Sequence, residues 1–304
     1  MPIICLPDEA ARAAVGPLPP GTSVVLWDGT GEPPPEFEQV EFVVPRYPGA
    51  PLPAEVLAAA PRLKVIQLLS AGVEPWLDRI PPGVTLCNGR GIHGASTAEL
   101  AVAGLLSVMR DLPGFRTAQD EHRWAQHPTG GMAGANVLVV GAGDIGRRIA
   151  TALGAFDATV TLVARHARDG VRSMDELPGL LPHQDSVVLA VPLTPETRAL
   201  VDAGFLARMR DGAVLVNIAR GALVDTGALV AELRAGRLRA FLDVTDPEPL
   251  PPDHPLWDAP GVLITPHVGG GTHGWEQRAY RLAREQILRF VAGEPLENVV
   301  TDGY

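Results

Sequence analysis

The stretch NVLVV (Asn136–Val140) runs without a break into GAGDIG (Gly141–Gly146), after which Ile145, Ile149 and Leu153 recur at helical spacing. An apolar strand, a tight glycine turn and a helix in that order decide the fold class, because parallel strands need a crossover connection. Gly141 allows the turn, Gly143 lets backbone approach a pyrophosphate, and Gly146 lets helix and strand pack closely. With Asp144 and Ile145 between them, these residues form the expected dinucleotide cradle, since a helix amino terminus offers N–H donors and a positive dipole to an anion. A glycine-rich turn without a ligand is the bland alternative, and the strand before and helix after weigh against it.

Working outward, SVVLW from Ser23, VEFVV from Val40, VIQLL from Val65 and VTLC from Val84 precede this unit. Strands near Val160, Val187, Val214, Phe241 and Val262 follow it. Short β-rich runs separated by helix-length segments imply α/β architecture with parallel sheets, and 304 residues are enough for two domains. Ser96 followed by Glu99 reads as a capping box opening a helix with Val102, Leu105, Leu106 and Met109 on its core face. That helix is the expected crossing into the second domain, and a last helix from about Thr272 to Val291 carries the chain back. The expectation is a discontinuous first domain, 1–97 with 276–304, around a dinucleotide-binding domain at 98–275.

Composition narrows the partners. The 33 Gly and 30 Pro are about a fifth of the chain, below the level of low-complexity disorder. A net charge of −10 repels phosphate backbones and anionic lipid, so neither nucleic acid nor a membrane surface is an expected partner. Lys64 is the only lysine, which leaves one candidate for Schiff-base or P-loop chemistry. Cys5 and Cys87 are too few for a disulfide framework or a cysteine-rich zinc site, so no metal and a reducing compartment are expected. The amino terminus lacks a basic n-region and carries Asp8 and Glu9 right after its apolar run, so it does not read as a signal peptide. The longest largely apolar stretch, Leu100–Met109, is about half a membrane span. A cytoplasmic protein is expected.

The next strand, TVTLV, ends in Ala164-Arg165-His166-Ala167-Arg168. An NAD site calls for an acid here to accept from the ribose hydroxyls, and Ala164 has none to offer. Arg165 and Arg168 suit a 2′-phosphate through charge-assisted bonds, so NADP(H) is expected ahead of NAD(H). Their bland reading is two solvated loop arginines.

Three further stretches remain: VNIARGALVD from Val216, DVTDPEPLP from Asp243 and TPHVGGGT from Thr265. Together with the glycine motif, VPLTPET from Val191 and QLLSAGVE from Gln67, they closely resemble the D-isomer-specific 2-hydroxyacid dehydrogenases, which include glyoxylate/hydroxypyruvate reductases. The resemblance spans nearly the whole chain. It implies two Rossmann-like or flavodoxin-like domains with an interdomain cleft, a small 2-oxo or 2-hydroxy acid as substrate, and a homodimer. It implies Arg220, Glu248 and His267 as the catalytic group. It further assigns the backbone of Ser70, Ala71, Gly72 and Val73 to the substrate carboxylate, Val191 and Pro192 to the cofactor lining, and Asp243 to the nicotinamide carboxamide.

Chemistry asks for the same residue types. A planar guanidinium binds a carboxylate bidentately while polarising the neighbouring ketone, which suits Arg220. The alkoxide left by hydride arrival needs a proton, and imidazole titrates nearest neutrality, which suits His267. A carboxylate on the other ring nitrogen orients the ring, which suits Glu248. Singly, each reads as an ordinary surface or turn residue; their joint order behind a dinucleotide motif carries the case. His93, in GRGIHGASTAE, is one more candidate to reach the substrate pocket. Glu74 stands where the family often has Asp, and Thr245 where an aromatic residue is frequent. Formate dehydrogenases pair the histidine with Gln, so Glu248 argues against that activity. A nicotinamide-sensing, corepressor-like regulator and a phosphite-oxidising enzyme are the alternatives on this framework.

Overall fold

The computed structural model describes residues 1–301. The chain divides into two compact units, Met1–His93 with the segment from Gly271 onward, and Gly94–Gly270. In chain order the first unit contributes β1 (Ile3–Leu6), α1 (Glu9–Val15), β2 (Ser23–Leu26), β3 (Phe42–Val43), α2 (Ala54–Ala58), β4 (Val65–Gln67) and β5 (Thr85–Cys87). The second holds α3 (Gly94–Met109), α4 (Leu112–Asp120), β6 (Asn136–Val140), α5 (Asp144–Gly154), β7 (Thr159–Ala164) and β8 (Val171–Ser173). It continues through α6 (Leu177–Leu180), β9 (Ser186–Leu189), α7 (Ala203–Arg208), β10 (Val214–Asn217), α8 (Thr226–Arg234), β11 (Arg239–Leu242) and β12 (Val262–Ile264). Helix α9 (Trp275–Ala292) belongs to the first unit again.

The first unit's sheet is parallel throughout, in the order β2-β1-β3-β4-β5. Alternate side chains serve opposite faces, as a two-residue period requires. Ile4, Leu6, Phe42 and Val65 pack with Ala279, Ala283 and Ile287 of α9, while Cys5, Val43, Ile66 and Leu86 pack with Phe37, Leu57 and Trp76. Both cysteines are free and buried. Burial pushes the Cys5 thiol up to about 12 and Cys87 up to about 11. Lys64 Nζ lies 2.6 Å from the buried carboxylate of Glu41, which Arg62 also pairs, so the sole lysine is tied into an ion-pair cluster.

The second unit's sheet has seven parallel strands in the order β12-β11-β10-β9-β6-β7-β8. Chain order reverses between β6 and β9, which is the switch point where open α/β sheets receive ligands at the carboxyl ends of their strands. Helices cover both faces, so the central strands are uninterrupted apolar runs. Val137 and Val139 face Leu105 of α3 and Ile149 and Leu153 of α5. Leu138 and Val140 face the other way, with Leu206 of α7 and Leu229 and Leu233 of α8 in the same cluster.

The structure departs from the sequence expectations at several element ends. Ser96 is not a helix cap: α3 already begins at Gly94, and Ser96 and Thr97 are buried within its first turns while Glu99 is exposed. A Cβ on Gly269 would come within 3.3 Å of Thr97 Cγ2, so the Thr97 side chain faces the loop after β12. The expected boundaries at 97/98 and 275/276 fall inside α3 and α9, whereas the units divide just ahead of these two continuous helices. Strands β1 and β8 add to the expected set. No helix among the described residues is long and apolar enough to cross a membrane.

Candidate active site

The candidate cofactor and catalytic residues of the second unit lie beyond the carboxyl ends of its strands. The glycine turn follows β6, Arg165 and Arg168 follow β7, Val191 and Pro192 follow β9, and Arg220, Glu248 and His267 follow β10, β11 and β12. Parallel pairing places all of these loops along one edge of the sheet.

The glycine turn fits a dinucleotide. Gly141 sits at φ 123°, where a side chain would meet Ala190 O at 2.3 Å, and a Cβ on Gly146 would lie 1.8 Å from Gly141 O. The strand and helix can therefore close only around glycine. Gly143, by contrast, has open space where a Cβ would point, the room a pyrophosphate needs beside the amino terminus of α5. Ile145 packs against the apolar cluster beneath. Asp144 places an acid on the first turn, and Arg148 Nε donates to its Oδ1 at 2.8 Å, which offsets the charge there. Its Oδ2 is buried without a hydrogen bond, towards Gly94 at the start of α3.

Arg165 and Arg168 are both exposed. Arg168 folds back so that Nη2 donates to Ala142 O at 3.2 Å, which lays its guanidinium along the glycine turn. Opposite, Thr194 Oγ1 donates to Glu196, and this bond with the nearby charge of Arg165 holds the Glu196 carboxyl below its ordinary range. Val191 packs at the edge of the core cluster, and Pro192 is exposed.

The remaining three residues share one arrangement of loops. His267 Nδ1 donates to Glu248 Oε1, and both side chains reach solvent. His267 adopts a left-handed backbone, φ 53°, uncommon for a residue with a side chain. Its N–H donates to Asp243 O at 2.7 Å. The Asp243 carboxylate is 2% exposed and takes three further hydrogen bonds from the same loop: Thr265 Oγ1 at 2.6 Å, Val268 N at 2.9 Å and Gly269 N at 2.9 Å. It clamps the loop on both sides of the histidine. Arg220 Nη1 donates to Ala219 O at 2.6 Å from a half-buried position. Asn217 braces that turn, its Nδ2 donating to Arg220 O at 2.8 Å and its Oδ1 accepting from Ala219 N at 3.1 Å. A Cβ on Gly221 would meet Thr245 O at 1.9 Å, so the Arg220 turn lies directly on the segment leading to Glu248. Thr245 Oγ1 and Thr226 Oγ1 fasten that segment through Pro247 O and Asp246 O.

Comparisons with known proteins identify the family. The family described as D-isomer specific 2-hydroxyacid dehydrogenase, NAD binding domain, matches residues 102–269. The chain belongs to this family. Among relatives, D-3-phosphoglycerate dehydrogenase of Mycobacterium tuberculosis (strain H37Rv) is 33% identical over all of the chain and 59% of its own length, so the chain spans about three fifths of that protein. A D-isomer specific 2-hydroxyacid dehydrogenase of Xanthobacter autotrophicus Py2, solved with NADPH and MES, superposes with a TM-score of 0.86 at 32% identity, covering 100% of this chain and 99% of that one. An NADPH-dependent glyoxylate/hydroxypyruvate reductase of Sinorhizobium meliloti, solved with NADP and sulfate, gives 0.85 at 28% identity with the same coverage.

In the first unit of this family member, Ser70–Val73 follows β4, and Ser70 Oγ closes the turn by donating to Gly72 O at 2.8 Å. Gly89 N donates to Ser70 O at 2.6 Å, joining the turn to the segment after β5. Asn217, Thr265 and the clamping role of Asp243 were not singled out from the sequence. Asn217 and Thr265 lie inside the quoted motifs, but a neutral polar side chain at a strand end signals a brace only once its partners are known.

Proposed function

We propose that this chain is an NADP(H)-preferring oxidoreductase that moves a hydride between the nicotinamide and small 2-oxo or 2-hydroxy acids such as glyoxylate and hydroxypyruvate. The observation that carries this reading is the His267–Glu248 hydrogen bond, one strand along from Arg220 and on the sheet edge that holds the glycine turn. The bound nicotinamide supplies or receives the hydride. Arg220 anchors the acid's carboxylate and polarises its ketone. Because Glu248 occupies Nδ1, His267 presents Nε2 to the substrate oxygen, giving a proton in reduction and taking one in oxidation. The second unit is the cofactor-binding domain, and the first is the substrate domain, with the Ser70–Val73 backbone receiving the carboxylate. Asp243 Oδ2, with one loop partner, is the atom for the nicotinamide carboxamide. Arg165, Arg168 and the absence of an acid at Ala164 support NADP(H), as do the NADPH and NADP bound by the two solved relatives.

The working protein is a cytoplasmic homodimer in this reading. Trp124, 94% exposed beyond α4, and half-exposed Leu112 support a self-association surface. The test is nicotinamide oxidation with glyoxylate and hydroxypyruvate, using NADPH and NADH in parallel. His267→Asn, Glu248→Gln and Arg220→Ala should each lower kcat by roughly 100- to 10,000-fold for the two groups that touch substrate, and less for Glu248. Parent-like turnover removes the role concerned, and cofactor binding without turnover of any acid favours the sensing alternative.

A further inference from the structure

Strand β5 closes one side of the first unit's sheet, and an uncovered edge strand leaves a row of backbone N–H and C=O groups without partners. Residues 297–300, just beyond α9, take that edge: Val299 bridges Cys87 in antiparallel fashion, and Val300 N donates to Leu86 O at 2.8 Å. Gln286 of α9, 2% exposed, seats this strap. Its Oε1 accepts from Glu297 N at 2.9 Å, and its Nε2 donates to Glu297 O at 2.6 Å and to Gln67 Oε1 at 2.9 Å. Gln67, wholly buried at the end of β4, carries the link on by donating to Asn88 O at 3.1 Å.

Asn298 is the gripping part of the strap. Its O accepts from Asn88 N at 3.0 Å, its Nδ2 donates to Arg90 O at 3.0 Å, and its Oδ1 accepts from Arg90 Nε at 3.2 Å. Its backbone is left-handed, φ 55°, a conformation that asparagine adopts more readily than most residues. One residue thus holds the chain on either side of Gly89. The inner side of the same segment is the bed of the 70–73 turn. Leu68 N donates to Cys87 O at 2.8 Å, Gly89 N to Ser70 O at 2.6 Å, and His93 Nε2 to Leu69 O at 3.1 Å. A Cβ on Gly89 would lie 2.6 Å from Leu69 O, so the two backbones meet with no side chain between them. Backbone N–H groups that receive a carboxylate act best when they are aimed before the acid arrives.

We propose that Asn298 is a positioning residue: from the strap it holds residues 88–90 against Ser70, and so aims the N–H groups of the 70–73 turn at the acid's carboxylate. The proposal rests on the reductase reading above, in which that turn receives the carboxylate, and every link in the chain of contacts lies within the first unit. Asn298→Gly deletes both side-chain bonds without a torsional penalty. Asn298→Asp keeps an acceptor for Arg90 Nε but sets an oxygen against Arg90 O. Arg284→Ala is the control, since it removes bonds to Val15 O and Pro17 O elsewhere in the same unit. Steady-state kinetics with glyoxylate and hydroxypyruvate, and native hydrogen exchange of the 70–73 amides, are measured on the parent and all three variants. Asn298→Gly should raise KM for both acids about 5- to 30-fold, part of the worth of a hydrogen bond to a charged group, with kcat and KM for NADPH within about twofold. Asn298→Asp should raise the acid KM about 3- to 10-fold. In both, the 70–73 amides should exchange at least about fivefold faster. Arg284→Ala should leave acid KM and that exchange at parental values, which a general loosening of the unit would not. Acid KM within about twofold of the parent in both Asn298 variants, or an equal rise in Arg284→Ala, overturns the positioning role alone. A parent that reduces neither acid with NADPH or NADH overturns the reductase reading and the positioning role with it.

Discussion

Asp243→Asn tests whether the buried carboxylate sets the histidine loop. Three donors converge on it, two on Oδ1 and one on Oδ2. The amide's best orientation keeps a carbonyl towards Thr265 and Val268 and turns its NH2 against Gly269 N, donor facing donor at about the 2.9 Å of the present bond. One charge-assisted bond of about 1.5–3 kcal/mol is lost and two others fall to neutral strength, while a buried charge no longer has to be desolvated. The net loss is about 2–4 kcal/mol, a fall in Tm of roughly 5–15 °C for a unit of this size. The backbone bond from His267 to Asp243 O survives, so the loop loosens only beyond the ring. A misplacement of about 1 Å then lowers kcat by up to roughly 100-fold. Differential scanning fluorimetry and steady-state kinetics on the purified variant read both effects. A Tm within about 1 °C of the parent together with kcat within twofold refutes the clamp.

Gly146→Ala drives a Cβ to 1.8 Å from Gly141 O and should lower Tm by about 2–12 °C while weakening NADPH binding, seen by fluorimetry with and without cofactor; an unshifted Tm would contradict the packing. Replacing Arg165 and Arg168 together by Ser should lower the NADPH-to-NADH ratio of kcat/KM about 10- to 100-fold, and an unchanged ratio removes them from the 2′-phosphate. Cys5 and Cys87 have folded-state values near 12 and 11 against an ordinary 9.0, so the unfolded chain sheds its thiol protons first. Their contribution to stability is complete below about pH 9 and is lost as pH climbs towards 11 and 12. At pH 8, iodoacetamide should spare both thiols in the native protein and label both in urea; native labelling at the urea rate would refute their burial.

The central strands were legible because burial on both faces leaves an unmistakable apolar run. Strand β1 was hidden by its brevity and by Pro7 and Asp8 right after it, which read as a terminus. Strand β8 is an edge of three residues with Arg172 exposed, so it carries no hydrophobic signal. The start of α3 was misread because Ser96 and Glu99 have capping-box chemistry, while tertiary packing of Thr97 claims that turn for the helix interior. Arg220, Glu248 and His267 were legible by type and order. The contact of the Tyr47, His93 and Trp275 rings was not, because these residues meet only through the tertiary fold, and an isolated aromatic in sequence reads as core.

The left-handed backbone at His267 bears on how any randomised library at this position should be interpreted. Most replacements there incur about 1–2 kcal/mol of main-chain penalty before any reactivity is considered, with asparagine, aspartate and glycine spared the worst of it. Survivors of a selection for expression alone would therefore cluster on those few types. Intolerance at this codon is partly a matter of torsion, and only the asparagine swap isolates what the imidazole itself contributes.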